Sequence, residues 1–128
     1  MSKRILAVVT CAYRATLEEQ DDPILWLTRA MRGAGAAIDV LLTGNAVSYG
    51  VRAQDASGLR FGEWQQAQPP RLADDSTALI ESGASVLYAA ADALERGIEP
   101  NELIEGLVPV QAGAVARLLS SYDQILWW

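Results

Sequence analysis

The stretch Val86-Leu87-Tyr88-Ala89-Ala90-Ala91-Asp92-Ala93-Leu94-Glu95-Arg96-Gly97 decides how this chain folds. Its first residues complete a short apolar run of strand length, residues 84–88. Residues 90–96 then read as a helix, and Gly97 is placed to stop it. The stretch therefore predicts a buried strand that runs directly into a helix, with the junction at Ala89.

The same alternation of apolar runs and helical stretches extends along the chain. It is typical of a parallel sheet covered by helices on both faces. Further strands are predicted at residues 5–9, 38–43, 107–110 and 124–128. Further helices are predicted at residues 23–33, 46–52, 74–82 and 112–120.

Two of these helices carry start signals and one carries a clear apolar face. Asp22-Pro23 combines a capping residue with a proline at the first helical position. The helix that follows should bury Ile24, Leu27 and Met31. Asp74-Asp75-Ser76 is predicted to cap the helix at residues 74–82.

Length and composition predict one globular domain that spans residues 1–128. The chain has 128 residues, of which 51% are hydrophobic and 20% are charged. Residues 54–71 are polar and contain Gly58, Gly62 and Pro69-Pro70, so we expect a long surface excursion there. Long excursions of this kind are often functional.

Charge and residue counts exclude several classes of function. The net charge of -6 disfavours nucleic acid, whose phosphates need clustered Lys and Arg. Histidine is absent and Cys11 is the single cysteine, so one chain forms neither an internal disulfide nor a zinc-type ligand cluster. The apolar run after Met1-Ser2-Lys3-Arg4 is too short for a signal peptide or a membrane span. We therefore expect a cytoplasmic protein with no metal.

Three parts of the chain resemble the DsrE/DsrF sulfur-relay family. These are the junction at Ala89, the opening Val8-Val9-Thr10, and the ending, which combines residues 108–112 and 118–128. The ending is similar to the closing helix and strand of DsrF and TusC subunits. The resemblance implies a three-layer α/β/α sandwich on a five-stranded parallel sheet, flavodoxin-like, with no cofactor. It also implies a trimer or hexamer of identical or related subunits.

The family transfers sulfane sulfur between cysteines, and Ala89 stands where its persulfide carriers have the reactive cysteine. A methyl group cannot carry sulfur. The resemblance therefore implies a non-carrier subunit or docking platform in intracellular sulfur trafficking, without independent catalysis. Sulfur-carrier proteins are further expected partners.

Cys11 supports two alternatives, because it follows the first strand at the edge where open α/β folds bind ligands. In the first, Cys11 is itself a sulfur carrier, with Arg14 stabilising the thiolate. In the second, the loop between Thr10 and Thr16 belongs to a small-ligand binder of flavodoxin-like type. Because free cysteine is among the residues most often buried, we expect Cys11 to be core packing.

Three tryptophans are candidate interface residues. Successive strand side chains point to opposite faces, so Trp127 and Trp128 cannot both enter one core layer. Trp64, in the polar excursion, would anchor that segment on the body or on another subunit. Tryptophan is enriched at binding hot spots, so these positions are candidates for contacts between subunits. For Trp127 and Trp128, packing under neighbouring helices of the same chain is the equal alternative.

Overall fold

Seven strands and four α-helices are formed by the residues that the computed structural model describes, which are 3–11, 23–53, 60–65 and 72–128. The strands are β1 (Arg4–Val9), β2 (Ala37–Leu42), β3 (Arg60–Phe61), β4 (Trp64–Gln65), β5 (Val86–Ala89), β6 (Val108–Val110) and β7 (Gln124–Trp127). The helices are α1 (Pro23–Gly33), α2 (Leu72–Glu81), α3 (Ala90–Glu95) and α4 (Val115–Ser120). Short 3-10 helices lie at Gly44–Gly50, Pro100–Glu102 and Ala112–Ala114.

The main sheet has five strands in the order β6, β5, β2, β1, β7, and every neighbouring pair is parallel. This confirms the α/β fold class and the five-stranded parallel sheet. From β1 the chain moves strand by strand to β6 and then returns to place β7 on the other side of β1. The order therefore puts the last strand next to the first.

The two faces of the sheet are covered unequally. On one face α1, α2, α3 and the 3-10 helix at Gly44–Gly50 bury the larger core, with Tyr49, Leu25 and Leu79 each at most 1% exposed. The other face packs against α4, which covers a smaller set of strand residues that includes Leu6 and Leu41. Successive side chains of a strand point to opposite faces of the sheet, so one strand contributes residues to both apolar layers.

Two helix details differ from the sequence prediction. Leu27 is 37% exposed, whereas Leu25 is fully buried, so the buried face of α1 is rotated from the predicted one. Helix α2 begins at Leu72, and Asp75 and Ser76 lie buried inside it instead of capping it. Asp75 is buried by a tertiary contact, because Arg29 on α1 donates to its Oδ1 over 2.7 Å and holds this turn of α2 against α1.

The predicted excursion contains a small antiparallel hairpin. Residues 60–65 form β3 and β4, and Gly62 has a φ of +62°, which the turn requires. All six residues are exposed, and the other residues of the excursion lie outside the described part of the chain. Within the described ranges, no helix is long and apolar enough to cross a bilayer.

Candidate functional site

The carboxyl ends of β1, β2 and β5 meet at one edge of the sheet. Pairing places Val9 beside Leu42 and Leu42 beside Tyr88, so the three strands end at one level. Cys11 lies two residues beyond β1, and Ala89 is the last residue of β5. In open α/β sheets, this is the edge that binds ligands.

The thiol of Cys11 is exposed, so the expectation that it is core packing is wrong. The physical reason is its position, because Cys11 lies past the last sheet residue of β1 and outside both apolar layers. Its Sγ lies 3.9 Å from Oγ1 of Thr10, at the distance limit of a weak hydrogen bond to sulfur. Arg14, proposed as its partner, lies outside the described residues.

The backbone that presents Cys11 is fixed by the end of the chain. Thr10 donates twice to the carbonyl oxygen of Trp128, from its amide over 3.0 Å and from Oγ1 over 2.9 Å. The amide of Trp128 in turn donates to the carbonyl of Val8 over 2.9 Å. These bonds extend the pairing of β1 and β7 to Thr10. The residue directly before Cys11 is therefore held in place.

Gly44 brings the loop after β2 against the loop after β1. Its φ is +54°, and a Cβ at this position would lie 3.3 Å from the carbonyl oxygen of Thr10. Thr43 adds a backbone bond of 2.9 Å to the carbonyl of Val9. Only glycine combines this conformation with this close approach at low cost.

Asp92 ties the same loop to α3, and sequence analysis missed this role. Its Oδ2 accepts a 2.8 Å hydrogen bond from the amide of Gly44. Arg96 donates to Oδ1 of Asn45 over 3.1 Å and to the carbonyl of Asp92 over 3.0 Å. The usable signal was Gly44-Asn45 directly after a strand together with a carboxylate in the first turn of the next helix.

Ala89 occupies the strand-to-helix junction, as the sequence predicted. It is the N-cap residue of α3, with φ and ψ of -71° and 109°, and it is 7% exposed. It pairs in register with Val110 on β6 and points to the same face as Leu87. Helix α3 has only six residues, so it offers an anion less support than a longer helix would.

Cys11 and Ala89 share an edge but are not neighbours in the sheet. Strand β2 lies between their strands, which sets β1 and β5 two strand spacings apart, about 10 Å. The structure thus brings together the thiol, Thr10, Gly44 and Asp92, with Ala89 to one side. The thiol is exposed, whereas the junction is nearly covered.

The three tryptophans differ in environment. Trp128 is half-buried against the larger core, and Trp127, on the opposite face, is 63% exposed. Trp64 is 48% exposed in the hairpin, where its ring stacks on Phe61 with centroids 5.8 Å apart. Trp127 and Trp64 therefore keep the exposure that an interface residue needs, whereas Trp128 packs in its own domain.

Within the described ranges, no group of three or more Cys, Asp or Glu residues comes together in a way that could hold a metal ion. The polar atoms at the carboxyl edge are instead used in bonds between loops. Among the described residues of this edge, Cys11 supplies an exposed thiol, which is a nucleophile when ionised.

Comparison with known proteins places this geometry in a fold. No family model and no curated protein matches the sequence. The structure superposes on the crystal structure of the ychN protein from E. coli with a TM-score of 0.74, covering 98% of this chain and 99% of that one at 21% identity. The chain has a DsrE/DsrF-like fold. Protein MTH1491 of Methanobacterium thermoautotrophicum, of unknown function, matches with a TM-score of 0.65 over 98% of this chain and 99% of that one at 13% identity.

This fold includes the five-stranded parallel sheet described above. Both structural matches cover 98% of the chain, so the likeness is not confined to one part of the fold. At these identities the likeness concerns the fold alone. What the site does must therefore be argued from its own residues.

Proposed function

We propose that this chain takes part in intracellular sulfur trafficking as a non-carrier subunit of an oligomer, where it serves as a docking platform. The observation that carries the proposal is Ala89 at the strand-to-helix junction, 7% exposed and without a sulfur atom. The DsrE/DsrF-like fold and the resemblance of the junction and the chain ending to DsrF and TusC subunits support it. The subtype rests on that resemblance.

A non-carrier subunit acts through the surface that it offers to other subunits. The exposed aromatic side chains of Trp127, Phe61 and Trp64 supply apolar area of the kind that subunit contacts cover. The expected partners are identical or related subunits in a trimer or hexamer, and sulfur-carrier proteins that dock on the assembly. The cytoplasm is the expected compartment, because a free exposed thiol suits a reducing environment.

A sulfur-loading experiment tests the proposal. The purified protein is incubated with glutathione persulfide, and bound sulfur is located by mass spectrometry of peptides. We expect the segment that contains Ala89 to stay unmodified and any sulfur on Cys11 to remain there when an acceptor thiol protein is added. Catalytic turnover of sulfur from donor to acceptor through this chain would overturn the non-carrier role.

A second candidate function is favoured by one observation, the exposure of Cys11 at the carboxyl edge. In this function Cys11 is the carrier. Its thiolate attacks the outer sulfur of a donor persulfide, a new S–S bond forms on Cys11, the donor S–S bond breaks, and the donor leaves as a thiolate. The step needs no external oxidant, because the sulfane sulfur only changes its partner.

Cys11→Ser separates the two functions. If Cys11 is the carrier, the variant should fold normally and lose all sulfur uptake and transfer. Arg14→Ala should slow the reaction of Cys11 if that arginine stabilises the thiolate. If the chain is a non-carrier subunit, Cys11→Ser should leave sulfur flow through the assembled complex unchanged.

A further inference from the structure

The β3–β4 hairpin is an exposed aromatic surface without cover. Phe61 and Trp64 face each other across the ladder with stacked rings, 61% and 48% exposed, and Glu63 lies in the turn between them. The hairpin makes no extensive contact with any helix or with the main sheet in the described part of the chain. A lone two-stranded hairpin is marginally stable in water. Burial of its two aromatic rings against a partner would therefore stabilise it.

A cavity of about 530 Å³ lies at the opposite, amino edge of the main sheet, between the C-terminal halves of α1 and α2. Its lining residues include Ala37, Ala78, Leu79, Arg29 and Arg32. An apolar cavity of about 150 Å³ is enough for one benzene ring, so this volume admits both hairpin rings.

The two arginines are held in place before any partner arrives. Arg29 donates to Oδ1 of Asp75 over 2.7 Å, and Arg32 donates to Oγ of Ser82 over 2.8 Å and to the carbonyl of Ile38 over 3.3 Å. Arg32 also donates from Nη2 to the carbonyl of Ser82 over 3.1 Å, and each guanidinium has five N–H donors, so both keep donors beyond these bonds. Fixed cations cost little further ordering when an anion binds.

The hairpin and the cavity are complementary in both polarity and charge. The hairpin presents two aromatic rings with a carboxylate at its tip. The cavity is lined by apolar residues together with Arg32 and with Arg29, which is paired with Asp75. The guanidinium groups also suit the face of Trp64 through a cation–π contact. The hairpin of the same chain does not line the cavity.

We propose that the β3–β4 hairpin of one copy inserts Phe61 and Trp64 into the α1–α2 cavity of a second copy, with Glu63 pairing with Arg29 and Arg32. The proposal rests on the assembly part of the proposed function and names its interface. Because the two surfaces differ, the contact is head-to-tail and repeats from copy to copy until a ring closes. A closed trimeric ring satisfies every hairpin and every cavity.

Gly33 offers a clean way to block the cavity. It lines the cavity, and a Cβ built on it would have no atom within 4 Å. A tryptophan side chain at this position therefore starts from open space, and its indole is large enough to obstruct the cavity. Gly113→Trp is the matched control, because Gly113 has the same open surroundings but lies next to α4 on the other face of the sheet.

Sedimentation velocity over a concentration series measures the effect. We expect Gly33→Trp and Glu63→Lys each to weaken assembly on the order of thirtyfold or more. We expect Gly113→Trp to assemble like the wild type. We expect the same of Glu105→Lys, the charge control, because Glu105 is exposed and lies outside both the hairpin and the cavity lining. Circular dichroism and thermal unfolding check that all four variants fold.

Mixing the two weakened variants gives the decisive result. Gly33→Trp keeps a working hairpin and Glu63→Lys keeps a working cavity, so an equimolar mixture should form a species with the mass of two chains and no larger ring. If both variants assemble as well as the wild type does, this interface is wrong and the proposed oligomer stands. A wild type that is monomeric at micromolar concentration overturns the oligomer and the interface together.

Discussion

The hydroxyl of Tyr122 donates a 2.6 Å hydrogen bond to Oδ2 of Asp39 and so fastens the segment after α4 to β2. The other oxygen of Asp39 accepts from the amide of Ser85 over 2.8 Å. The guanidinium of Arg4 lies 4.5 Å from the centre of the Tyr122 ring. Together, Tyr122, Asp39 and Arg4 hold the segment between α4 and β7 against the face of the sheet that α4 covers.

The Tyr122 bond predicts a stability change in alkaline solution. Burial, followed by the bond and charge of Asp39, raises the pKa of Tyr122 from 10.0 to about 12 against the opposing effect of Arg4. A raised folded-state pKa means that the stabilisation is complete below pH 10 and is lost as the pH rises to about 12. Because the side chain is partly exposed, we expect about 1 kcal/mol.

Tyr122→Phe provides the measurement. Urea unfolding should show a loss of about 1 kcal/mol at pH 7, and the difference between the two proteins should vanish near pH 12. A difference that stays constant from pH 9 to about pH 12 would show that ionisation of the hydroxyl is not coupled to folding.

Ser76→Ala should stabilise the protein. Ser76 is fully buried in α2, and its Oγ has no hydrogen-bond partner among the described residues. Removing an unsatisfied buried hydroxyl and raising helix propensity should add about 1 kcal/mol to the free energy of unfolding. Thr77→Ala is the control, because the Thr77 hydroxyl donates to the carbonyl of Ala73 over 2.8 Å. A loss of stability in Ser76→Ala would reveal a bond to this hydroxyl.

Cys11 should react with iodoacetamide in the native protein at a rate far above that of unfolding, because its side chain is exposed. Cys11→Ser should change the free energy of unfolding by less than about 0.5 kcal/mol, as expected of a surface substitution. Labelling that occurs only when the protein unfolds would contradict the placement of the thiol.

A thiol at the junction should behave differently. In the Cys11→Ser background, Ala89→Cys places sulfur at a site that is 7% exposed, so we expect it to alkylate more slowly than Cys11 does in the wild type. The comparison uses intact-mass kinetics at equal reagent concentration. An Ala89→Cys thiol that reacts as fast as Cys11 would mean that the junction is open.

The two terminal tryptophans should separate assembly from folding. Trp127→Ser removes a 63% exposed ring and should weaken assembly while leaving the thermal midpoint of the monomer unchanged. Trp128→Asp places a charge against the larger core and should destabilise the fold itself by about 2 kcal/mol or more. Equal effects of both substitutions on unfolding would contradict these environments.

The local pattern of the sequence was sufficient for the elements that position the site. Apolar runs, Pro23 and Gly97 predicted the five strands of the main sheet and the four α-helices to within a few residues, and Ala89 lies at the predicted junction. These features depend on neighbours in sequence, through backbone preferences and periodicity. The close fit of Gly44 against Thr10 was beyond such reasoning, because it joins two loops that are far apart in the chain.

The sequence by itself determined the strands of the main sheet and the α-helices that cover it, the junction at Ala89 and the single thiol. Only the tertiary structure decided that Cys11 is exposed, that Asp75 and Ser76 are buried, and that Trp127 and Trp128 differ in cover. The physical reason is that burial is set by the elements that pack over a side chain. A residue's type and its near neighbours fix its chemistry, but the strand order and the helix placement fix what covers it.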